Sequence, residues 1–309
     1  MLKRPDQQQH GCATPLYLVL VAIVPMVARS QSTFTPFQGL TLEGKANLQT
    51  IEAVRRLHES GQTIAVETIR KQLERSSCQL SLPSTNSTRL TAQQIRQRAE
   101  KAYLRMGWVY QCIKCDQWHV TLAGGYALTT NGAVATCYHV VNPPRDLRTG
   151  ALIAADRVGK VFPVMEVLAA NRYADACIVQ VKGDGFTPLP LNTNVTVGDT
   201  VYCFDNQGER DAFAQGVVTR FVKLPERRLE NVRGAPLFVP LRIQVTATWE
   251  LGSSGSALLD ECGNAIGHAS TLTFTNDSAR NSHETPPPQS IFHEATSGKD
   301  IFSLVQTAK

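Results

Sequence analysis

Apolar residues change their spacing part-way along this chain, and the change divides it in two. Between Asn47 and Gly61, Leu48, Ile51, Val54 and Leu57 recur at three-residue intervals, which predicts a helix ended by the glycine. Ile64, Val66, Ile69 and Leu73 predict a second helix within Thr63 to Ser76, and Leu80 to Ser87, with Pro83, Thr85 and Asn86, reads as a loop. A third helix starts at Thr91. Gln94 stands three residues on, the spacing of a capping box, and Ile95, Ala99, Ala102, Tyr103 and Met106 fall on one face. With a polar stretch at 31–40, residues 31–107 read as a small α-helical region.

From Trp108 the helical period gives way to short runs rich in Val, Ile, Thr and Tyr, separated by Gly, Asn and Pro. These predict strands at His119–Leu122, Gly125–Thr130, Ala133–Thr136, Lys160–Val167, Ala176–Val181, Thr200–Phe204, Gly216–Val222, Leu237–Thr248, Ser256–Leu259 and Ala265–Thr273. Residues 274–290 read as a polar loop and Ser297 to Thr307 as a short closing helix. Many short strands at even spacing make the fold mainly β, a barrel or a sandwich. No internal repeat or coiled-coil period is present.

The first thirty residues follow a different rule. Lys3 and Arg4 precede an apolar run from Pro15 to Val27, and Ala28-Arg29-Ser30 supplies small residues for cleavage. The run falls short of the ~17 residues that span a bilayer. Residues 1–30 are therefore expected to be a secretory signal, and the protein to be exported, periplasmic or secreted, with no stable membrane span after cleavage. A hydrophobic fraction of 42% against 18% charged residues is that of a globular protein, not a disordered one. The net charge of +5 is spread out, with local density at Arg55-Arg56, Arg70 to Arg75 and Arg227 to Arg233, and no basic stripe alternates with aromatics, so no nucleic acid is expected as partner.

Chemistry concentrates at three places. Gly252-Ser253-Ser254-Gly255-Ser256-Ala257 enters an apolar strand and reads as a nucleophile turn, with Ser254 as nucleophile and the Gly252 and Ser254 N–H groups as an oxyanion hole. A serine hydroxyl needs a base. The candidate is His139, at the end of the β-branched run Ala133 to Val141. The base needs an orienting acid, and the candidate is Asp175 at the mouth of the apolar strand Ala176–Val181, where an unpaired carboxylate would be costly. Asp156 and Asp184 lie in turn-like settings and are weaker candidates.

The order His139, Asp175, Ser254 and the strands around these residues resemble the trypsin-like peptidases of the chymotrypsin clan, nearest the bacterial HtrA-type branch. His139 sits in ATCYHVV, Asp175 in ADACIVQV and Ser254 in GSSGSALLDECGNAIGHAS, and GGYALTTNG, VGDTVYCFDNQGE and GVVT are similar to the family's intervening strands. The resemblance covers about residues 115–273. It implies a chymotrypsin-like double six-stranded β-barrel over 108–309, preceded by the helical region, and a serine endopeptidase working through an acyl-enzyme. It implies a protein or peptide substrate and no cofactor, and leaves the oligomeric state unspecified. The chain departs from the family in having Ser253 before the nucleophile, which argues against activation by a freed N-terminus. Thr248, six residues before it, disfavours cleavage after basic residues. Thr248, Gly267, His268 and Ala269 are the expected substrate pocket. No C-terminal PDZ module is expected. The alternative reading is a catalytically silent protease fold that uses the helical region for binding; a third has residues 31–110 as an inhibitory pro-region.

Removing the signal leaves seven cysteines, an odd number. Cys112 and Cys115, with His119 nearby, supply only three local ligands where structural zinc takes four. A short disulfide or paired free thiols is the expectation, and no metal is assigned.

Overall fold

The computed structural model describes residues 46–207, 210–224, 239–275 and 290–306. The expected signal segment at 1–30, the polar start at 31–40, the basic cluster at Arg227 to Arg233 and nearly all of the polar loop at 274–290 lie outside the described residues.

Twelve strands form two closed antiparallel barrels of six. The first comprises β2 (Tyr103–Cys112), β3 (Trp118–Ala127), β4 (Ala133–Thr136), β5 (Leu147–Ala155), β6 (Val161–Asn171) and β7 (Ala176–Val181), in the spatial order β2-β3-β4-β7-β6-β5. The second comprises β8 (Thr200–Gln207), β9 (Arg210–Lys223), β10 (Leu241–Val245), β11 (Ala257–Leu259), β12 (Ala265–Thr275) and β13 (Ser290–Ser297), in the order β10-β13-β12-β11-β8-β9. Closure leaves no free sheet edge. The expected double barrel is what the chain adopts.

Three of the twelve barrel strands were not visible in the pattern of the sequence. β2 replaces the end of the expected third helix. That helix, α3 (Ala92–Ala102), has its capping box, with the Gln94 N–H donating to Thr91 Oγ1 at 3.3 Å and the Thr91 N–H to Gln94 Oε1 at 2.9 Å. It stops at Tyr103, which turns extended and pairs with Tyr126, so Tyr103 and Met106 belong to the barrel. A boundary at 107 therefore falls inside a strand. β5 and β13 are the other two. The predicted strands His119–Leu122 and Gly125–Thr130 merge into β3, which ends at Ala127.

The helices are not a separate layer; the described residues form one compact unit. α1 (Ala46–Glu59) buries Val54 in a cluster with Val109, Ala151, Ile153 and Ala155 of β2 and β5. α2 (Val66–Gln72) buries Ile69 in a cluster with Met106, Trp108 and Leu152. α3 buries Ile95, Ala99 and Ala102 with Tyr126 and Ile178 of the first barrel and Phe204 and Leu259 of the second. Complete burial of Ile69 and of Ile95 stabilises the fold by about 2–3 kcal/mol each. Val201, Ile243, Leu258, Ile266 and Ala295 form the apolar cluster of the second barrel.

The chain closes with α5 (Gly298–Phe302), capped by Ser297 Oγ accepting from the Asp300 N–H at 3.1 Å. β14 (Val305–Gln306) then pairs in parallel with β1 (Cys78–Gln79), so the expected closing helix is shorter than predicted and ends in a strand. Among the described residues no helix is long and apolar enough to cross a membrane.

Candidate active site

Each barrel contributes one half of the site. His139 lies on the single-turn helix α4 (Tyr138–Val141), which follows β4. Burial of Val140 and Val141 and a 3.1 Å hydrogen bond from Trp108 Nε1 to the Val141 carbonyl fix this turn against β2. The His139 side chain is 52% exposed and that of Asp175 12%. The base therefore reaches the surface while its partner stays beneath it.

Asp175 sits in the turn between β6 and β7 at φ 55°, a left-handed backbone that asparagine and aspartate tolerate better than other side chains. Asn171 Oδ1 shapes the turn by accepting from the Tyr173 and Ala174 N–H groups, both at 3.0 Å. The carboxylate accepts from His139 Nδ1 at 2.9 Å (Oδ2) and 3.0 Å (Oδ1) and from the His139 N–H at 3.1 Å. Ser270 Oγ on β12 donates to Oδ2 at 2.6 Å. Holding the proton on Nδ1 leaves Nε2 as the basic nitrogen.

The second barrel supports this turn from below. Arg242 Nη1, buried on β10, donates to the Ala174 carbonyl and to Thr296 Oγ1, each at 2.6 Å. Thr296 Oγ1 donates to the Ala174 carbonyl at 2.8 Å, and His268 Nε2 to the Asp175 carbonyl at 3.1 Å. Ser270, Arg242 and Thr296 were not singled out in the sequence. A serine or threonine in a strand carries no local signal of a partner ~100 residues away.

Electrostatics follow from these contacts. Burial disfavours the His139 imidazolium, but the hydrogen bond to Asp175 and its charge outweigh that, so the pKa rises above 6.5. Burial raises that of Asp175, yet the bond and charge of His139 and the Ser270 bond bring it down to about 2. Burial lowers His268 to about 4, so it is neutral near pH 7.

Ser254 is half-buried on the turn after Glu250. The turn is held by its own bonds: Ser253 N–H to Glu250 O at 3.2 Å, Ser256 N–H to Ser253 O at 2.9 Å and Glu250 N–H to Ser253 Oγ at 3.2 Å. Gly252 and Gly255 take φ of 100° and 86°, which glycine alone adopts without strain. At Gly255 a Cβ would also lie 2.2 Å from the Gly124 carbonyl and 2.5 Å from Thr136 Oγ1. That packing brings the serine turn against the end of β4, just before His139. Across the same junction the Gly124 N–H donates to the Ser254 carbonyl at 2.7 Å and the Gly255 N–H to Ala269 O at 2.8 Å. The Gly252 and Ser254 N–H groups donate to no protein acceptor among the described residues.

The expected pocket residues separate. Thr248 is exposed, whereas His268 and Ala269 are fully buried and Gly267 abuts the Thr296 carbonyl. His268 turns inward under Asp175 and offers no surface to a substrate. Ser270, next on β12, is the residue that reaches Asp175, while Thr271 beyond it is exposed and Leu272 packs against the apolar cluster of the second barrel. Cys137 Sγ also lies within 4.8 Å of the His139 and Asp175 ligand atoms. Burial pushes its thiol far up, and it donates to the Ala269 carbonyl at 3.2 Å.

A family model agrees with this architecture. Residues 124–267 match the family model for the trypsin-like peptidase domain. No curated protein matches the chain. Among solved structures, the serine endoprotease from Yersinia pestis is similar at 18% identity and a TM-score of 0.46, over 69% of this chain and 64% of that one. The chain thus spans less than two thirds of that protein's length. The stretch that matches the trypsin-like peptidase domain, residues 124–267, holds His139, Asp175 and the turn of Ser254.

Proposed function

We propose that the protein is an exported serine endopeptidase in which Ser254 attacks the scissile carbonyl of a protein or peptide. His139 Nε2 takes the Ser254 proton and returns it to the leaving amine, and Asp175 holds the imidazole tautomer and stabilises the imidazolium. The Gly252 and Ser254 N–H groups receive the oxyanion, a contribution worth about 10²–10³ in turnover per donor. An acyl-enzyme on Ser254 then hydrolyses through the same base. The observation that carries this reading is the His139–Asp175 pair at 2.9 Å, its carboxylate sharing Ser270 at 2.6 Å. A structural histidine would not need a buried carboxylate anchored by strands of a second barrel.

Thr248 and Thr271, both exposed, are assigned to the substrate pocket. Neither carries a negative charge, so uncharged side chains are favoured over Lys or Arg before the scissile bond. Export rests on the signal-like segment at 1–30. The test is incubation of the full chain with a sequence-diverse peptide library. Internal cleavage absent from Ser254→Ala and from His139→Ala is expected. A library left intact by the wild type, or cut equally by Ser254→Ala, would refute the proposal, and cleavage after Lys or Arg would refute the pocket.

A further inference from the structure

At the tip of the β2–β3 hairpin, three soft ligands meet that the peptidase site does not use. The ligand atoms of Cys112, Cys115 and His119 all lie within 4.8 Å of one another, and Cys115 Sγ is 3.1 Å from His119 Nε2. Ligands about 2.0–2.3 Å from one tetrahedral zinc ion stand roughly 3.5–3.8 Å apart, so this spacing suits a shared ion. None of the described cysteines is in a disulfide.

The turn is held by its own hydrogen bonds. The Lys114 N–H donates to Cys112 Sγ at 3.4 Å, a contact that favours a thiolate. The Cys112 N–H donates to the Gln117 carbonyl at 2.9 Å and the Asp116 N–H to the Cys112 carbonyl at 3.1 Å, with Asp116 at φ 58°. Ion pairs hold the tip to the start of β5: Lys114 Nζ to Asp146 Oδ2 at 2.9 Å, and Arg148 to Asp116. Both nearby carboxylates are thereby paired with cations, which leaves a sulfur–nitrogen donor set. Two thiolates and an imidazole select zinc over magnesium or calcium.

We propose that Cys112, Cys115 and His119 form a zinc site with its fourth position open to solvent. Cys112 is buried and Cys115 exposed, so the ion would sit at the surface with one side uncovered. The site fastens the end of β3, the strand whose Gly124 bonds the Ser254 turn. Gly124 lies five residues beyond His119, roughly 16 Å along the strand. The ion is thus a clip on the hairpin and not part of the peptidase chemistry.

The test uses the full chain, reduced and stripped by a chelator, then titrated with Zn²⁺ alone against a chromophoric competitor. One ion per chain is expected. Cys115→Ser and His119→Gln should each weaken binding by more than the about 10-fold that loss of an outer-shell partner costs. Cobalt in place of zinc should show a thiolate charge-transfer band that weakens in Cys115→Ser. Cys115 is exposed, so both variants should melt with the wild type when all are held in chelator, which separates lost ligation from lost folding. Absence of binding by the reduced wild type, unchanged affinity in both variants, or a Cys112–Cys115 disulfide that persists in reductant would overturn the assignment.

Discussion

Ser253 Oγ donates a hydrogen bond to Oδ2 of Asp205, and both residues are buried, at 0% and 4% exposure. Ser253 immediately precedes the proposed nucleophile, and Asp205 lies on β8. A carboxylate thus reaches the nucleophile turn from a neighbouring strand. The same hydroxyl accepts from the Glu250 N–H at 3.2 Å, so one contact ties both ends of the turn that carries the Gly252 and Ser254 amides.

That relationship makes Asp205 a positioning residue. Asp205→Ala is expected to lower kcat by about 10–100-fold with little change in KM, because the misplaced amides serve mainly the transition state. Ser253→Ala should act in the same direction and cost about 1–3 kcal/mol of stability by removing a donor to a buried carboxylate. The two substitutions should be clearly non-additive in a double-mutant cycle. Full additivity, or an effect confined to KM, would show that the contact does not set the turn.

The His139–Asp175 pair fixes the acid limb of activity. Catalysis needs neutral His139, and its pKa is raised, so kcat/KM should fall as pH drops through a value above 6.5. Asp175→Asn should reduce kcat about 10⁴-fold by presenting the wrong tautomer. The stability signs are opposite for the two groups. The raised His139 pKa stabilises the fold below pH 6.5, and that contribution is lost as pH rises through the folded value. The lowered Asp175 pKa stabilises above 3.8 and is lost as pH falls toward about 2. A pH–rate profile and urea melts across the range check both; an acid limb below 6.5 would contradict the coupling.

His268 predicts a separate acid lability. It is fully buried, and burial lowers it to about 4 against the opposing bond to the Asp175 carbonyl and the charge of Asp175; Arg242 and His139 add to the lowering. The unfolded chain binds this proton from about pH 6.5 downward and the folded chain only near 4. Stability should therefore rise between pH 4 and 6.5 by about 3 kcal/mol from this group. His268→Leu should lose the Asp175 bond yet flatten that slope by close to one proton. Identical slopes in wild type and variant would show that His268 is not buried neutral.

The catalytic candidates were legible because each lies in a short local motif whose neighbours form one strand or turn. His139 follows β4 on α4, Asp175 precedes β7 and Ser254 precedes β11. Their supports were not legible, since Ser270, Arg242 and Thr296 reach Asp175 only after two barrels close. β2 escaped because seven consecutive residues from Tyr103 to Val109 are buried, which removes the alternation that marks a half-exposed strand and lets α3 seem to continue. β5 ends in Ala-rich sequence of low strand preference, and β13 is largely polar. The burial of His268 and Ala269 was equally unreadable, since the register shift between Ala269 and Thr271 is marked by no pattern of hydrophobicity.

The central claim is that the Ser254 hydroxyl is a nucleophile activated by His139. A fluorophosphonate reacts covalently with such a serine, and mass mapping of the labelled full chain locates the adduct. One adduct on Ser254, missing from Ser254→Ala and slowed strongly in His139→Ala, is the predicted result. A folded wild type that takes up no label, or Ser254→Ala labelled as fast as wild type, would contradict it.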